Sequence, residues 1–116
     1  MIKFSSGRMA AQQGSLSLFS DYADGGTMWT GQGPRESRHA VIFAEPFLGK
    51  PAVMVALSMW DIDHKHNARA EIAADKVSEA GFEVVFRTWG DTRVARVRAD
   101  WTALGTVRDD EDWDVL

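Results

Sequence analysis

Apolar and polar residues alternate with a period of two along much of this chain. That pattern belongs to strands with one face in a core and one in water. Residues 15–20 set Leu16 and Leu18 on one side. Residues 38–44 alternate His39, Val41 and Phe43 with Ala40, Ile42 and Ala44. Both sides are apolar there, which predicts a central strand. Residues 52–60 align Val53, Val55, Leu57 and Met59. Residues 82–88 oppose Phe82, Val84 and Phe86 to Glu83, Val85 and Arg87. Residues 93–104 give the clearest case, with Ala95, Val97, Ala99, Trp101 and Ala103 against Val94, Arg96, Arg98, Asp100 and Thr102. Residues 69–77 carry helix-forming Ala, Glu and Lys, but Ile72 and Val77 are spaced badly for an apolar helical stripe, so a strand is expected.

Gly, Pro and Asp cluster between these runs, as in Asp24-Gly25-Gly26, Gly31-Gln32-Gly33-Pro34, Gly49-Lys50-Pro51 and Gly90-Asp91. Short strands punctuated at such intervals predict an all-β sandwich of about six strands. The segment 21–37 is the longest irregular stretch, a length usually reserved for function or for an interface. With 116 residues there is room for one core. We place a single domain at 1–106 and an acidic tail at 107–116.

Charge sharpens that division. The chain has 13 basic and 17 acidic residues, a net of -4. Five of the acids are Asp109, Asp110, Glu111, Asp112 and Asp114; without them 13 bases face 12 acids, a net of +1. The domain is therefore nearly neutral and lacks the basic excess of a nucleic-acid binder. The tail, which includes Trp113, reads either as a solubilising end or as a docking peptide. Cysteine is absent, which removes disulfides and thiolate chemistry. A sandwich of this size without disulfides, and with edge strands to cover, is expected to gain stability by self-association. The opening residues are too polar for a signal peptide, and no stretch is long and apolar enough to span a membrane; a cytoplasmic location is the default expectation.

Three groups of side chains carry possible chemistry. Asp61, Asp63, His64, His66 and Asn67 cluster after the third strand, either as a polar turn or as ligands for a divalent metal. Their spacing lacks the glycine and closing Glu of an EF-hand loop. Carboxylate pairs such as Asp61 with Asp63 have no nucleophile or phosphate loop beside them, so no enzyme is expected. Arg87, Arg96 and Arg98 are expected to share one face, either solvated and paired with Glu71, Glu83 and Asp100, or turned to an acidic ligand or a neighbouring subunit. Trp60, Trp89 and Trp101 fall near strand ends, with Trp29 in the long loop. Trp101, between Ala99 and Ala103 in register, reads as core or interface. Trp89 lies on the parity opposite to Phe82, Val84 and Phe86 and begins the turn Trp89-Gly90-Asp91. An exposed indole there would stack on the apolar face of a sugar ring.

Taken in order, Phe43-Ala44-Glu45-Pro46-Phe47, Pro51-Ala52-Val53, Leu57-Ser58-Met59-Trp60-Asp61, Asn67-Ala68-Arg69, Gly81-Phe82, Thr88-Trp89-Gly90-Asp91-Thr92 and Trp101-Thr102-Ala103-Leu104-Gly105 resemble the H-type lectin domain over about residues 37–105. The resemblance implies a six-stranded antiparallel β-sandwich and a homotrimer, with a pair of trimers as a further option. It implies binding of N-acetylgalactosamine, galactose or related glycans between protomers, without a metal or other cofactor. Arg69 would donate to sugar hydroxyls and Trp89 would form a wall. Gly90 and Asp91 would shape the turn, and the loop 22–36 would complete the cleft. Three positions depart from the family pattern: Gly90 stands where a stacking histidine is found, Ala95 where a tyrosine is found, and Gln32 where an acid is found. Trp29 or Tyr22 is expected to supply a replacement ring from the neighbouring protomer. The alternative function is a structural subunit, a spike, fibre or adapter, that uses the same fold to assemble.

Overall fold

The computed structural model describes residues 1–4 and 7–108. The acids expected to form the tail, Asp109, Asp110, Glu111, Asp112 and Asp114, lie outside the described residues, as does Trp113. Among the described residues, six strands run in chain order: β1 (Arg8–Ser20), β2 (Arg35–Ile42), β3 (Ala52–Ile62), β4 (Glu71–Asp75), β5 (Gly81–Thr88) and β6 (Val94–Val107). They form two antiparallel three-stranded sheets, sheet I in the order β1-β6-β3 and sheet II in the order β2-β5-β4. The all-β sandwich expected from the alternation is the fold observed. Only β4 and β5 are consecutive neighbours within one sheet; every other connection crosses between sheets.

The two middle strands supply most of the core, and their residues are complementary in size. Strand β5 sends in Phe82, Val84 and Phe86, while β6 opposes them with Val97, Ala99 and Ala103. Small residues on β6 leave room for the phenyl rings of β5. Trp101 packs edge-on against Phe82 and tilted against Phe43, with centroids 5.4 and 5.9 Å apart, so its core role holds. Gly14 makes that placement possible. It faces Trp101 in the ladder, and a Cβ at position 14 would come within 2.6 Å of the indole nitrogen.

Four expectations need correction. Strand β1 starts at Arg8, not at 15, because its inward positions are Ala10, Gln12 and Gly14, which carry no apolar alternation. Gln12 instead closes the edge beside β2: its amide donates to the Glu45 carbonyl at 2.7 Å and accepts from the Ala44 N–H at 3.0 Å. Strand β2 is an edge strand, not a central one, and its second apolar side is left in water, with Ile42 77% exposed.

The segment 21–37 is not wholly irregular. It contains two single-turn helices, α1 (Asp21–Asp24) and α2 (Thr27–Thr30), too short to show a helical period. The Asp21 carboxylate accepts the Met28 N–H at 2.9 Å, and Met28 plugs the core. The three arginines do not share a face: Arg87 lies on sheet II, while Arg96 and Arg98 lie on sheet I. On sheet II, Arg87 meets Glu36 and Glu71, and Arg38 meets Glu36, Asp75 and Glu83. These side chains cover Val85, which is buried although it points away from the core.

Candidate functional site

One end of the sandwich gathers the β3–β4 connection, the β5–β6 turn and the segment after α2. Two buried threonines fasten the first to the second. The Thr88 hydroxyl donates to the Arg69 carbonyl at 2.6 Å. The Thr92 hydroxyl accepts from the Arg69 N–H at 3.0 Å and donates to the Asn67 carbonyl. The backbone of Arg69 is thus held from both arms of the turn. Its side chain then crosses Gly90 and donates through Nη1 to Asp91 Oδ1 at 2.9 Å. Gly90 has φ +69°, and a Cβ there would sit 3.4 Å from Arg69 Nη1. Glycine therefore answers two needs at once, the left-handed backbone and the close passage of the guanidinium. Partial burial pushes the Asp91 pKa up. Bonds from the Asp91 and Asn67 amides and the Asn67 side chain, with the Arg69 charge, outweigh that and hold it below the ordinary 3.8. The site offers a fixed donor beside a fixed anionic acceptor.

Arg35 ties in the third segment. Its guanidinium donates to the Gly33, Met28 and Gly90 carbonyls at 2.9, 3.2 and 3.2 Å. The Gly33 N–H also donates to the Gly90 carbonyl at 2.9 Å. Gln32, exposed and next to Gly33, stands at the rim of the same turn. Trp89 is 41% exposed. It lines an open groove of about 270 Å³ with Pro34, Arg35, Glu36, Arg87 and Thr88 on the outer face of sheet II.

The structure thus brings together Arg69, Gly90 and Asp91, with Trp89 adjoining and Gln32 nearby. Trp29 is placed elsewhere. It packs edge-on against Tyr22, with centroids 5.1 Å apart. Of that pair, Tyr22 is the ring that lines a cleft of about 340 Å³, together with Ser20, Ala23, Asp61, Ala95 and Arg96. Tyr22 thus stands beside Ala95, the position without a ring of its own. Arg96 Nε faces Asp61 Oδ2 at 3.3 Å across that cleft.

The residues considered as metal ligands do not converge. Asp61 pairs with Arg96, and His64 points to solvent. Asp63 accepts the Lys65 N–H at 3.0 Å and bonds His66 Nδ1 at 2.8 Å, which is the work of a turn. Among the described residues, no group of three or more His, Cys, Asp or Glu side chains is placed to hold a metal ion.

Sequence reasoning missed Arg35 and the threonine clamp, and it named Asn67 only in the metal reading and in the family motif. Arg35 gave no signal, because an arginine opening a strand looks like any solvated residue. The threonines did: they flank Trp89-Gly90-Asp91 symmetrically, and their hydroxyls suit them to holding a neighbouring backbone.

Comparison with known proteins follows this geometry. The model of the H-type lectin domain matches residues 38–104. A Fuscovulum blasticum protein named ATP synthase subunits region ORF 7 is 63% identical over 107 residues, covering 92% of this chain and 93% of that protein. Discoidin II of Dictyostelium discoideum superposes with a TM-score of 0.75 at 24% identity, over 93% of this chain and 41% of its own. This chain therefore spans under half the length of discoidin II. A tailspike protein of Pseudomonas phage LKA1 superposes with a TM-score of 0.53 at 12% identity, over 87% of this chain and 15% of its own. At these identities the two structures share the fold.

Proposed function

The chain belongs to the H-type lectin domain family, and from that premise we propose that it is a carbohydrate-binding protein that recognises galactose-like, N-acetylgalactosamine-like or related glycans. The observation that carries this is the pair of Arg69 with Asp91, locked over Gly90 beside an exposed Trp89. A sugar hydroxyl is both donor and acceptor. A guanidinium N–H and a carboxylate oxygen held side by side satisfy two neighbouring hydroxyls without rearrangement. The indole of Trp89 takes the apolar face of the ring. Gly90 gives the Arg69 guanidinium the close passage that brings it to Asp91.

The cleft is completed by a neighbouring protomer in a homotrimer, or in a pair of trimers joined without disulfides. Tyr22, braced by Trp29, is the ring such a neighbour presents. Gln32 extends an amide where an acid would stand, so it both donates and accepts. Each single site is weak, and three on one rigid body gain avidity by engaging together, as adhesion to a cell surface requires.

A multivalent glycan array tests this. Binding that disappears in Arg69→Ala while the fold is retained supports it; no binding at high valency refutes it. Light scattering tests the assembly, where a monomer at micromolar concentration removes the shared cleft. A structural spike, fibre or adapter subunit is the second function. Its support is the fold held in common with a phage tailspike, together with the missing rings at Gly90 and Ala95.

A further inference from the structure

We propose that the groove between Trp89 and Pro34 is a subsite for a second, uncharged sugar ring, so that the ligand is a neutral oligosaccharide rather than a monosaccharide. This rests on the carbohydrate-binding function proposed above. In the ladder Arg35 lies opposite Thr88 and Glu36 opposite Arg87. One step further, the register sets Pro34 opposite Trp89. Both then flank the outer face of sheet II at its loop end, and both line the groove. Its volume of about 270 Å³ is just under the range of pockets that enclose a drug-sized molecule. One ring fits that space better than a long chain does. Trp89 is also the residue before Gly90, in the turn that carries the Arg69–Asp91 pair, so the groove and the pair adjoin one short turn. A first ring held there directs its neighbour across the indole toward Pro34.

The charges select the class of ring. Two arginines line the groove: Arg87 is taken up by Glu36 and Glu71, and Arg35 by the Gly33, Met28 and Gly90 carbonyls. Arg87 Nε faces Glu36 Oε2 and its Nη1 faces Glu71 Oε1, each at 3.2 Å, while Arg69 is held by Asp91. A carboxylate or sulfate on the incoming ring has to displace Glu36 or Glu71 from Arg87, or a backbone carbonyl from Arg35, and meets repulsion from the carboxylates that stay. A hydroxyl displaces nothing, since a guanidinium has five N–H groups and a carboxylate about four lone-pair positions. Glu36 is held below its ordinary pKa, by its bond to Arg38 first and by Arg87.

The test uses the best-binding monosaccharide from the array, a neutral disaccharide that carries it at one end, and the same disaccharide with a sulfate on the second ring. The neutral disaccharide is expected to bind about threefold to tenfold tighter than the monosaccharide, the scale of one more stacked ring. Pro34→Ser is expected to erase that advantage and leave the monosaccharide affinity within about twofold. The sulfated form is expected to bind no tighter than the neutral one. Neutral binding should hold within about twofold between about 0.05 and 0.5 M salt, because no net charge is being paired. Equal affinities for monosaccharide and disaccharide overturn the subsite, as does a preference for the sulfated form or an advantage that survives Pro34→Ser. If the monosaccharide itself does not bind, the carbohydrate function falls and the subsite falls with it. If the monosaccharide binds and the second ring adds nothing, the subsite alone is refuted.

Discussion

Replacing Thr92 by valine removes one oxygen from the site and leaves its shape. Thr92 has 0% of its surface exposed. Its hydroxyl accepts the Arg69 N–H and donates to the Asn67 carbonyl. Thr92→Val leaves one backbone donor and one backbone acceptor without their partner. A buried backbone group that loses its bond costs about 1–3 kcal/mol. Asn67 is exposed, so water relieves part of the loss on that side. The two together give about 2–3 kcal/mol of destabilisation. For a domain of this size that corresponds to a fall in Tm of about 9–14 °C. Urea unfolding followed by tryptophan fluorescence measures the free energy, and an unchanged slope with denaturant confirms that the same unit unfolds. Glycan affinity falls as well, because the Arg69 backbone loses one of its two clamps. Arg69→Ala is the contrast. Its pair with Asp91 is part-exposed and adds little to stability, so binding is lost while Tm barely moves. If Thr92→Val costs less than about 0.5 kcal/mol, the hydroxyl is not the fastener described here and the account of how Arg69 is positioned is wrong.

Other perturbations follow from the same structure. Gly14→Ala drives a methyl group into the Trp101 indole and should cost about 1–3 kcal/mol by overpacking, read as a lower urea midpoint. A methyl group at Gly26 would land 2.3 Å from the Asp21 carboxyl carbon, so Gly26→Ala should release α1 and α2, seen as faster proteolysis within 21–34. Acid stability depends on Glu36, Asp63, Asp75, Asp91 and Asp100, all held below their ordinary values of 4.5 for Glu and 3.8 for Asp. Groups depressed in the fold stabilise it above the unfolded value and lose that contribution as pH drops through the folded value. Tm should therefore be level from pH 7 to about 5 and decline below about 4.5. Arg38→Met should make that decline shallower, since Arg38 is the first cause of the depression at Glu36 and Asp75. A decline equally steep in the variant would contradict this.

The fold was largely legible because burying one face of a strand writes itself into every second residue. Strands β3, β5 and β6 showed this plainly. Strand β1 hid its first half because Gln12 and Gly14 occupy inward positions for reasons that lie elsewhere in the chain, at Glu45 in the β2–β3 connection and at Trp101 on β6. The edge position of β2 was illegible for the converse reason, since Ile42 is apolar yet exposed. Within the site, Trp89, Gly90 and Asp91 stood out because one motif holds all the parts of their turn, while Arg69 entered through the family resemblance. Arg35 escaped because its partners are carbonyl oxygens, which belong to every residue type. The separation of Arg87 from Arg96 and Arg98 depends on which sheet each strand joins, and alternation does not record that.

The order of strands has a consequence for how the chain acquires its shape during synthesis. Strand β6 is the middle of sheet I, and both β1 and β3 pair only with it there. Arg8 is matched with Val107. Sheet I therefore does not exist, even in part, until nearly the whole domain has been made. At about 5–20 residues per second, β1 waits on the order of 4–15 s for its partner. Over the same interval β4 and β5 can already close as a local hairpin. The nascent domain thus carries two unpaired strands until the last one arrives, and a helper that shields those edges acts on β1 and β3 alone.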